Sequence, residues 1–280
     1  MKKSKKTKII CVFLLIFLVI FVSWVIHGNK NIQVNELTIK SEKLPEDFKG
    51  FKIAHISDLH NAEFGNDNKH LLSAIEQSSP DLIVITGDIV DSRKTDIQIA
   101  RDFINKAAQI APVYYVTGNH ESRVSEENRI DSISLDKNIT ILHNKDVFLQ
   151  KGESKIQIIG VDDPDYVSVT YSEYYMNYEL DKYNDSKHFK VLLSHRPELF
   201  DVYTNNNIDV VFSGHAHGGQ FRLPFVGGLI APHQGLFPEY DSGLYTKNNT
   251  NLIVSRGLGN SIFPFRINNP PEIIIVTLNK

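Results

Sequence analysis

Five short segments of this 280-residue chain carry side chains that bind metal ions, and each directly follows an apolar run. FKIAHIS leads into Asp58-Leu59-His60, DLIVIT into Gly87-Asp88, and APVYYVT into Gly118-Asn119-His120. KVLLS leads into His195, and DVVFS into Gly214-His215-Ala216-His217. Taken singly these are weak signals. Asp-x-His is common in any chain, Gly-Asp after a strand is more often a turn closed by an Asx hydrogen bond, and two loop histidines need bind nothing. Several donors of the right type at one edge of one sheet are hard to assemble by chance, and jointly they point to a metal centre.

The residue types fit a pair of cations. Two divalent ions about 3.5 to 4 Å apart repel strongly, so a carboxylate between them both neutralises and spaces them. Asp88 is the natural candidate for that bridge. Asn119 offers an oxygen without adding charge, and histidines suit Zn, Fe or Mn better than Mg or Ca. The neighbouring glycines let the backbone turn sharply and approach closely.

These donors must be held by strands. The runs FKIAHIS, DLIVIT, APVYYVT, IQIIGV, KVLLS, DVVFS, NLIVS and EIIIVTL read as strands, and their near-continuous hydrophobicity predicts burial on both faces. Between them, Thr95–Gln109 places Ile97, Ala100, Phe103, Ile104, Ala107 and Ala108 on one helix face, with Thr95 or Asp96 as cap. A further helix is expected over Asp67–Ser79 and another from Pro197, a residue suited to a first helical turn. The alternation predicts an α/β domain with functional loops at the carboxyl ends of the strands. Gly218–Tyr245, rich in Gly, Pro and aromatics, reads as a long ordered loop or hairpin.

The chain start is different. Lys2, Lys3, Lys5, Lys6 and Lys8 precede an uncharged run from Ile9 to Ile26, 18 residues that would form a helix about 27 Å long, near the thickness of a bilayer core. The run lacks an A-x-A cleavage pattern and carries Trp24 at its far end. The expectation is a basic cytoplasmic tail (residues 1–8), an uncleaved transmembrane anchor (9–26), a tether with one edge strand, IQVNELTIK (27–50), and a catalytic domain (51–280). The protein would then be a single-pass protein of the cell membrane, its lysines cytoplasmic and its catalytic domain extracytoplasmic. The single cysteine, Cys11, excludes an intrachain disulfide. Without the five N-terminal lysines, 25 basic residues face 33 acidic ones, a net of −8, and so acidic a domain is a poor nonspecific binder of nucleic acid.

The motifs DLH, GDIVD, GNHE, SH and GHAHGGQ, in this order and spacing, resemble the calcineurin-like metallophosphoesterases over nearly all of Phe51–Leu278. RLPFVGG and SRGLGNSIFPFRINNPPEI further resemble a bacterial membrane-associated or exported branch of that family. The resemblance implies a four-layer α/β/β/α sandwich of two mixed sheets, here preceded by one N-terminal transmembrane helix. It implies one metal held by Asp58, His60, Asp88 and His217 and a second by Asp88, Asn119, His195 and His215. A bridging water or hydroxide would attack phosphorus in line, and His120 would give a hydrogen bond or proton to the substrate without binding metal. The substrate would be a phosphomonoester or phosphodiester. The anchor raises a lipid-linked one such as a lipid diphosphate, beside a soluble nucleotide or a cell-wall phosphoester. The alternative is a nonenzymatic metal-binding scaffold of the same fold, against which His120 and the full ligand set speak. His55 is expected to pack in its strand, His70, His143 and His188 to lie at the surface, and Asp91 to support its neighbours. Arg222 and His233 stand as candidates to touch substrate.

Overall fold

The computed structural model describes residues 2–130 and 136–280, with side chains from residue 6 onward. Met1 and the side chains of Lys2, Lys3 and Lys5 in the expected basic tail therefore lie outside the described residues, as does 131–135 of the expected catalytic domain. Helix α1 (Lys2–Lys30) extends past the apolar run at both ends. Among the described residues it is the one helix long and apolar enough to cross a membrane, over Lys6–Lys30, and none of its most apolar window is buried against the rest of the chain.

The body starts at β1 (Gln33–Lys40) and continues through β2 (Lys52–Ile56), α2 (Lys69–Ser78), β3 (Leu82–Thr86), α3 (Ile97–Ala107), β4 (Val113–Val116) and β5 (Ile139–Ile141). Then follow β6 (Lys145–Lys151), β7 (Ser154–Gly160), α4 (Ser172–Asp181), β8 (Phe189–Leu193), α5 (Phe200–Asn205) and β9 (Val210–Ser213). Two small ribbons come next, β10 (Arg222–Leu223) with β11 (Gly227–Gly228) and β12 (Ile230–Ala231) with β13 (Gly235–Leu236). Strands β14 (Gly243–Lys247), β15 (Thr250–Val254) and β16 (Glu272–Asn279) complete the chain.

Twelve of these strands form two six-stranded mixed sheets, ordered β1-β16-β2-β3-β4-β5 and β14-β15-β9-β8-β7-β6. In the first, β2, β3 and β4 run parallel and β16 is antiparallel to β2; in the second, β7, β8, β9 and β15 run parallel between antiparallel edges. The two-residue period of each strand sorts side chains between layers. Ile53, Leu82 and Val84 of the first sheet meet Phe189, Val191, Val210 and Phe212 of the second in a central core. The alternate residues Ala54, Ile56, Ile83 and Ile85 pack beneath α2 and α3, and Leu192, Val211, Leu252 and Val254 beneath α4 and α5. The product is the four-layer α/β/β/α sandwich, with β3, β8 and β9 buried at every position.

Local readings hold in most elements. Asp96 caps α3, its carboxylate accepting from the Gln98 amide at 3.1 Å, and Ala100, Phe103, Ile104 and Ala107 turn inward. Pro197 opens a single 3-10 turn that leads into α5. Within the expected tether, IQVNELTIK supplies β1, which pairs in parallel along its whole length with β16 at the sheet edge. Gly218–Tyr245 resolves into the two ribbons and the start of β14. Strands β5 and β6 and helix α4 carry no strong pattern in the sequence: β6 has no buried residue, and α4 buries only Tyr175, Met176 and Leu180.

Gly160 ends β7 against side chains of the facing layer, and a Cβ built there would stand 2.2 Å from Leu142 Cβ and 2.7 Å from Val116 Cγ1. Gly160→Ala is expected to destabilise the fold by about 1–3 kcal/mol through overpacking. Urea denaturation of the detergent-solubilised chain, followed by near-UV circular dichroism, measures this; an unchanged midpoint would contradict the packing described.

Candidate metal centre

Each chemistry-bearing loop leaves the carboxyl end of a parallel strand: Asp58 and His60 after β2, Asp88 after β3, Asn119 and His120 after β4, His195 after β8, His215 and His217 after β9. Both sheets therefore deliver side chains to one place. The backbone is under strain there, since Asp58, His60, Asp88, His215 and His217, five of the seven candidate ligands, have positive φ between 46° and 65°. Such conformations cost non-glycine residues of order 1–3 kcal/mol and persist only where the surroundings impose them. Close approach adds to the constraint: a Cβ on Gly118 would lie 2.3 Å from Asp88 Oδ1, and one on Gly214 2.3 Å from Asp58 Oδ2.

All seven candidate ligands are buried and converge as two adjoining clusters. In the first, His217 Nε2 stands 3.1 Å from His60 Nε2 and 3.4 Å from Asp58 Oδ1. In the second, His195 Nε2 lies 3.1 Å from His215 Nδ1, 3.3 Å from Asn119 Oδ1 and 3.3 Å from Asp88 Oδ2. The same Asp88 Oδ2 is 3.6 Å from His60 Nε2, so this one oxygen stands between the clusters. His195 Nδ1 donates to the Thr86 carbonyl at 2.7 Å, which turns Nε2 toward the second cluster and ties the two sheets together.

Electrostatics suits these atoms to divalent cations. Burial lowers His60 to about 3 and holds His215 and His217 well below the ordinary histidine range, so their rings are neutral and present lone pairs. Burial would raise Asp88, but the charge and hydrogen bond of His195 outweigh it, and Asp88 stays ionised. Burial, with Asp88 nearby, pushes Asp58 up to about 6. Burial works against a charged His195 as well, yet Asp88 raises it to about 10; a cation between Nε2 and Oδ2 would take the place of that proton. Imidazole nitrogens approaching to 3.1 Å, two carboxylates and one amide oxygen are a donor set that borderline divalent metals match.

His120 belongs to neither pair of close nitrogens. Its Nδ1 accepts from the Ser92 amide at 3.0 Å, which leaves the proton of the neutral ring on Nε2. Its own backbone N–H donates to Asp88 Oδ1 at 2.8 Å. Asp91 sits 3.5 Å from His120 Nδ1 and is gripped by the Arg93 guanidinium, so it borders the site without joining either cluster.

Two buried residues that the sequence reading passed over organise this centre. The Glu121 carboxylate accepts backbone N–H bonds from Asp88, Ile89, Val90 and Gly118 at 2.7–3.2 Å, clamping the Asp88 turn against the Asn119 loop. Burial and then Asp88 push it up to about 7. The signal was its place in GNHE. Arg266 lies fully inside, its Nη2 3.2 Å from His217 Nδ1, and only its position within SRGLGNSIFPFRINNPPEI could have marked it.

A cleft of about 230 Å³ opens over the clusters, lined by Asp88, Asn119, His120, His215 and His217 with Arg93 and Arg123 among its cations. His233 reaches it too: its Nδ1 is 3.0 Å from His215 Nε2, and the buried Arg196, paired with Asp163 through two bonds of 2.6 and 2.7 Å, holds it from behind. Arg222 lies away from the cleft lining, bonded to the Gly218 carbonyl and paired with Asp241. His55 packs between the sheets against Phe212 and bonds Thr86 Oγ1 at 2.9 Å. His70, His143 and His188 are exposed, His143 pairing with Asp162.

Residues 51–219 match the family described as calcineurin-like phosphoesterase. The chain is 34% identical over 257 residues to an uncharacterized metallophosphoesterase, YkuE, of Bacillus subtilis, covering 88% of this chain and 85% of that one. It is 26% identical to a protein of Escherichia coli named phosphodiesterase YaeI, covering 81% and 82%. It is also 26% identical to a Danio rerio protein named transmembrane protein with metallophosphoesterase domain, covering 95% of this chain and 62% of that one.

Glu121→Ala removes the acceptor of four backbone N–H groups, that of Asp88 among them, without altering any candidate ligand side chain. It is expected to weaken metal retention roughly 10- to 100-fold, as loss of supporting partners typically does. Metal content after dialysis against graded chelator measures this, and retention equal to the unsubstituted chain would remove Glu121 from the assembly.

Proposed function

Because the chain belongs to the calcineurin-like phosphoesterase family of metal-dependent hydrolases, we propose that it hydrolyses phosphodiester or phosphomonoester bonds of a lipid-linked or cell-envelope substrate at a membrane surface. The observation that carries this reading is Asp88 Oδ2 standing between two buried clusters, 3.6 Å from His60 Nε2 and 3.3 Å from His195 Nε2.

In this proposal Asp58, His60, Asp88 and His217 hold one divalent cation, and Asp88, Asn119, His195 and His215 hold the second. The histidine-rich donor set favours Mn, Zn or Fe. When bound, the pair supplies positive charge against the phosphate oxygens and makes water acidic enough to attack phosphorus in line at neutral pH. The remaining work belongs to the chain. His120, its Nδ1 occupied by Ser92, presents Nε2–H as a hydrogen-bond donor to the leaving oxygen, and its lowered pKa keeps the ring neutral before substrate binds. Arg93 and Arg123, partly exposed at the cleft, draw the phosphate in and hold its free oxygens.

Residues 9–26 serve as a single-pass anchor. The basic tail (1–8) stays in the cytoplasm, and residues 27–280, a tether to residue 50 followed by the hydrolase domain, lie outside it. Lysines flanking a long apolar helix support that orientation.

The full chain in detergent, supplied with Mn or Zn, is expected to hydrolyse bis(p-nitrophenyl) phosphate. Asp88→Asn should lose both metal uptake and turnover. His120→Ala should keep two metals per chain while kcat falls by about 10²- to 10⁴-fold. Full activity in His120→Ala would refute its role, and a metal-loaded chain inert toward a broad phosphoester panel would favour the scaffold alternative.

A further inference from the structure

Beside the metal cleft lies a second groove of about 200 Å³, walled by Gln220, Ile230, Ala231, Pro232, Ile262 and Phe263 and far more apolar than polar. The two are continuous, since His217, Pro232, Ser261 and Ile262 line both. A polar reaction site thus opens sideways into a mainly apolar slot whose polar lining is His217, Gln220 and Ser261.

The surroundings are apolar and uncovered. The β10–β11 turn presents Phe225 fully exposed with Val226, the β12–β13 ribbon presents Leu236 and Phe237, and the 261–265 loop presents Ile262, 79% exposed, with Phe263 and Phe265. Phe221 packs edge-on against Phe263 and tilted against Phe265, at 5.2 and 5.7 Å between ring centroids, which joins the start of the first ribbon to the loop. An apolar patch this concentrated is a docking surface or a liability. Its position identifies the partner. One residue beyond Phe265, the Arg266 backbone N–H and C=O bond both ends of the Asn29 side-chain amide at 2.7 and 2.9 Å, in the last turn of α1. The patch is therefore fastened to the end of the helix that is long and apolar enough to cross a membrane.

We propose that the groove takes the apolar chain of an amphiphilic phosphoester drawn from the membrane that holds α1, while the exposed ribbons and the 261–265 loop rest in the bilayer interface. This rests on the hydrolytic reading above and specifies its substrate class as a lipid phosphoester. The headgroup phosphate sits over the two clusters and the chain leaves along Ile230 and Phe263, so the lipid need not leave the bilayer completely to react. Phe and Leu side chains suit the seat, since apolar bodies of this kind insert at the boundary between headgroups and acyl chains.

The test uses the full chain in lipid nanodiscs with Mn and a series of p-nitrophenyl alkyl phosphates from methyl to decyl, which share one reaction and differ only in the chain. Because each buried methylene is worth up to about fourfold, kcat/KM is expected to rise at least tenfold along the series. The decyl-to-methyl ratio should collapse in Ile230→Asp and Phe263→Asp, and a ratio within one variant is insensitive to partial unfolding. A flat series in a working enzyme overturns the groove alone. So does a rise that persists in both variants, which would reflect partitioning into the disc. Failure to cleave any ester overturns the hydrolytic reading with it. In a Trp24→Phe background, Phe225→Trp fluorescence should be quenched by brominated phosphatidylcholine and Phe148→Trp fluorescence should not; equal quenching of the two overturns the seat. If Ile230→Asp instead dissociates a dimer in sedimentation, the patch belongs to a second copy and the proposal falls.

Discussion

Two carboxylates and four imidazoles are packed into the interior of this protein within a few ångströms of one another, and burial disfavours every charged form they can take. Such a cluster is stable only where neighbouring charge compensates it and rigid elements prevent it from spreading. Asp88 is the extreme case. It is fully buried and nonetheless ionised, because the charge and hydrogen bond of His195 outweigh burial while the His120 backbone N–H bonds its other oxygen. Remove those neighbours and the same carboxylate would protonate, losing the property that lets one oxygen face two clusters.

The two-sheet sandwich meets this requirement by geometry. Parallel strands β2, β3 and β4 end beside parallel strands β8 and β9 of the opposite sheet, so donors far apart in sequence arrive at one edge with rigid backbones behind them. The strain at Asp58, His60, Asp88, His215 and His217 is the cost of aiming short side chains inward from sharp turns. Hydrogen bonds offset it. Glu121 gathers four amides, the Asp58 carboxylate accepts from the His215 amide at 3.1 Å, and Thr86 lends its carbonyl to His195. A carboxylate accepting several backbone donors is stiff as well as stable, and positional precision is what a dinuclear site needs.

The seven donors were legible because their chemistry is carried by side-chain type and each follows an unmistakable apolar strand. The strands buried on both faces, such as LIVIT and FKVLL, announce themselves by composition. The pairing of those strands into two sheets is not local information: β7 and β8 could as well continue the first sheet, and only the motif order, through its resemblance to a known family, indicated the sandwich. Edge elements were harder for a related reason. Strand β6 and helix α4 each bury one incomplete face, so neither periodicity nor hydrophobicity rises above that of a loop. Glu121 and Arg266 were missed because acidic and basic residues are expected at surfaces, and only the fold shows each sealed among backbone groups. His233, a candidate to touch substrate from its place after GHAHGGQ, is held at the cleft by Arg196 and His215.

Arg266 joins the two halves of the molecule physically. Its guanidinium bonds the Arg256 and Gly259 carbonyls and approaches His217, while its backbone is stapled to Asn29 at the foot of α1. Placing a guanidinium in the interior is costly, and burial brings it down to about 10; three carbonyl and imidazole contacts recover part of that cost. The same residue therefore fixes the distance between the helix end and a candidate ligand through fewer than two side-chain lengths, with no flexible linker between them. Within the expected tether, Gln33–Lys40 is likewise bound into the sheet as β1. A hydrolase hung on a loose linker could sample substrate anywhere within reach of its anchor. One whose candidate metal cleft, apolar groove and helix foot share a single rigid loop is restricted to what the adjoining surface presents.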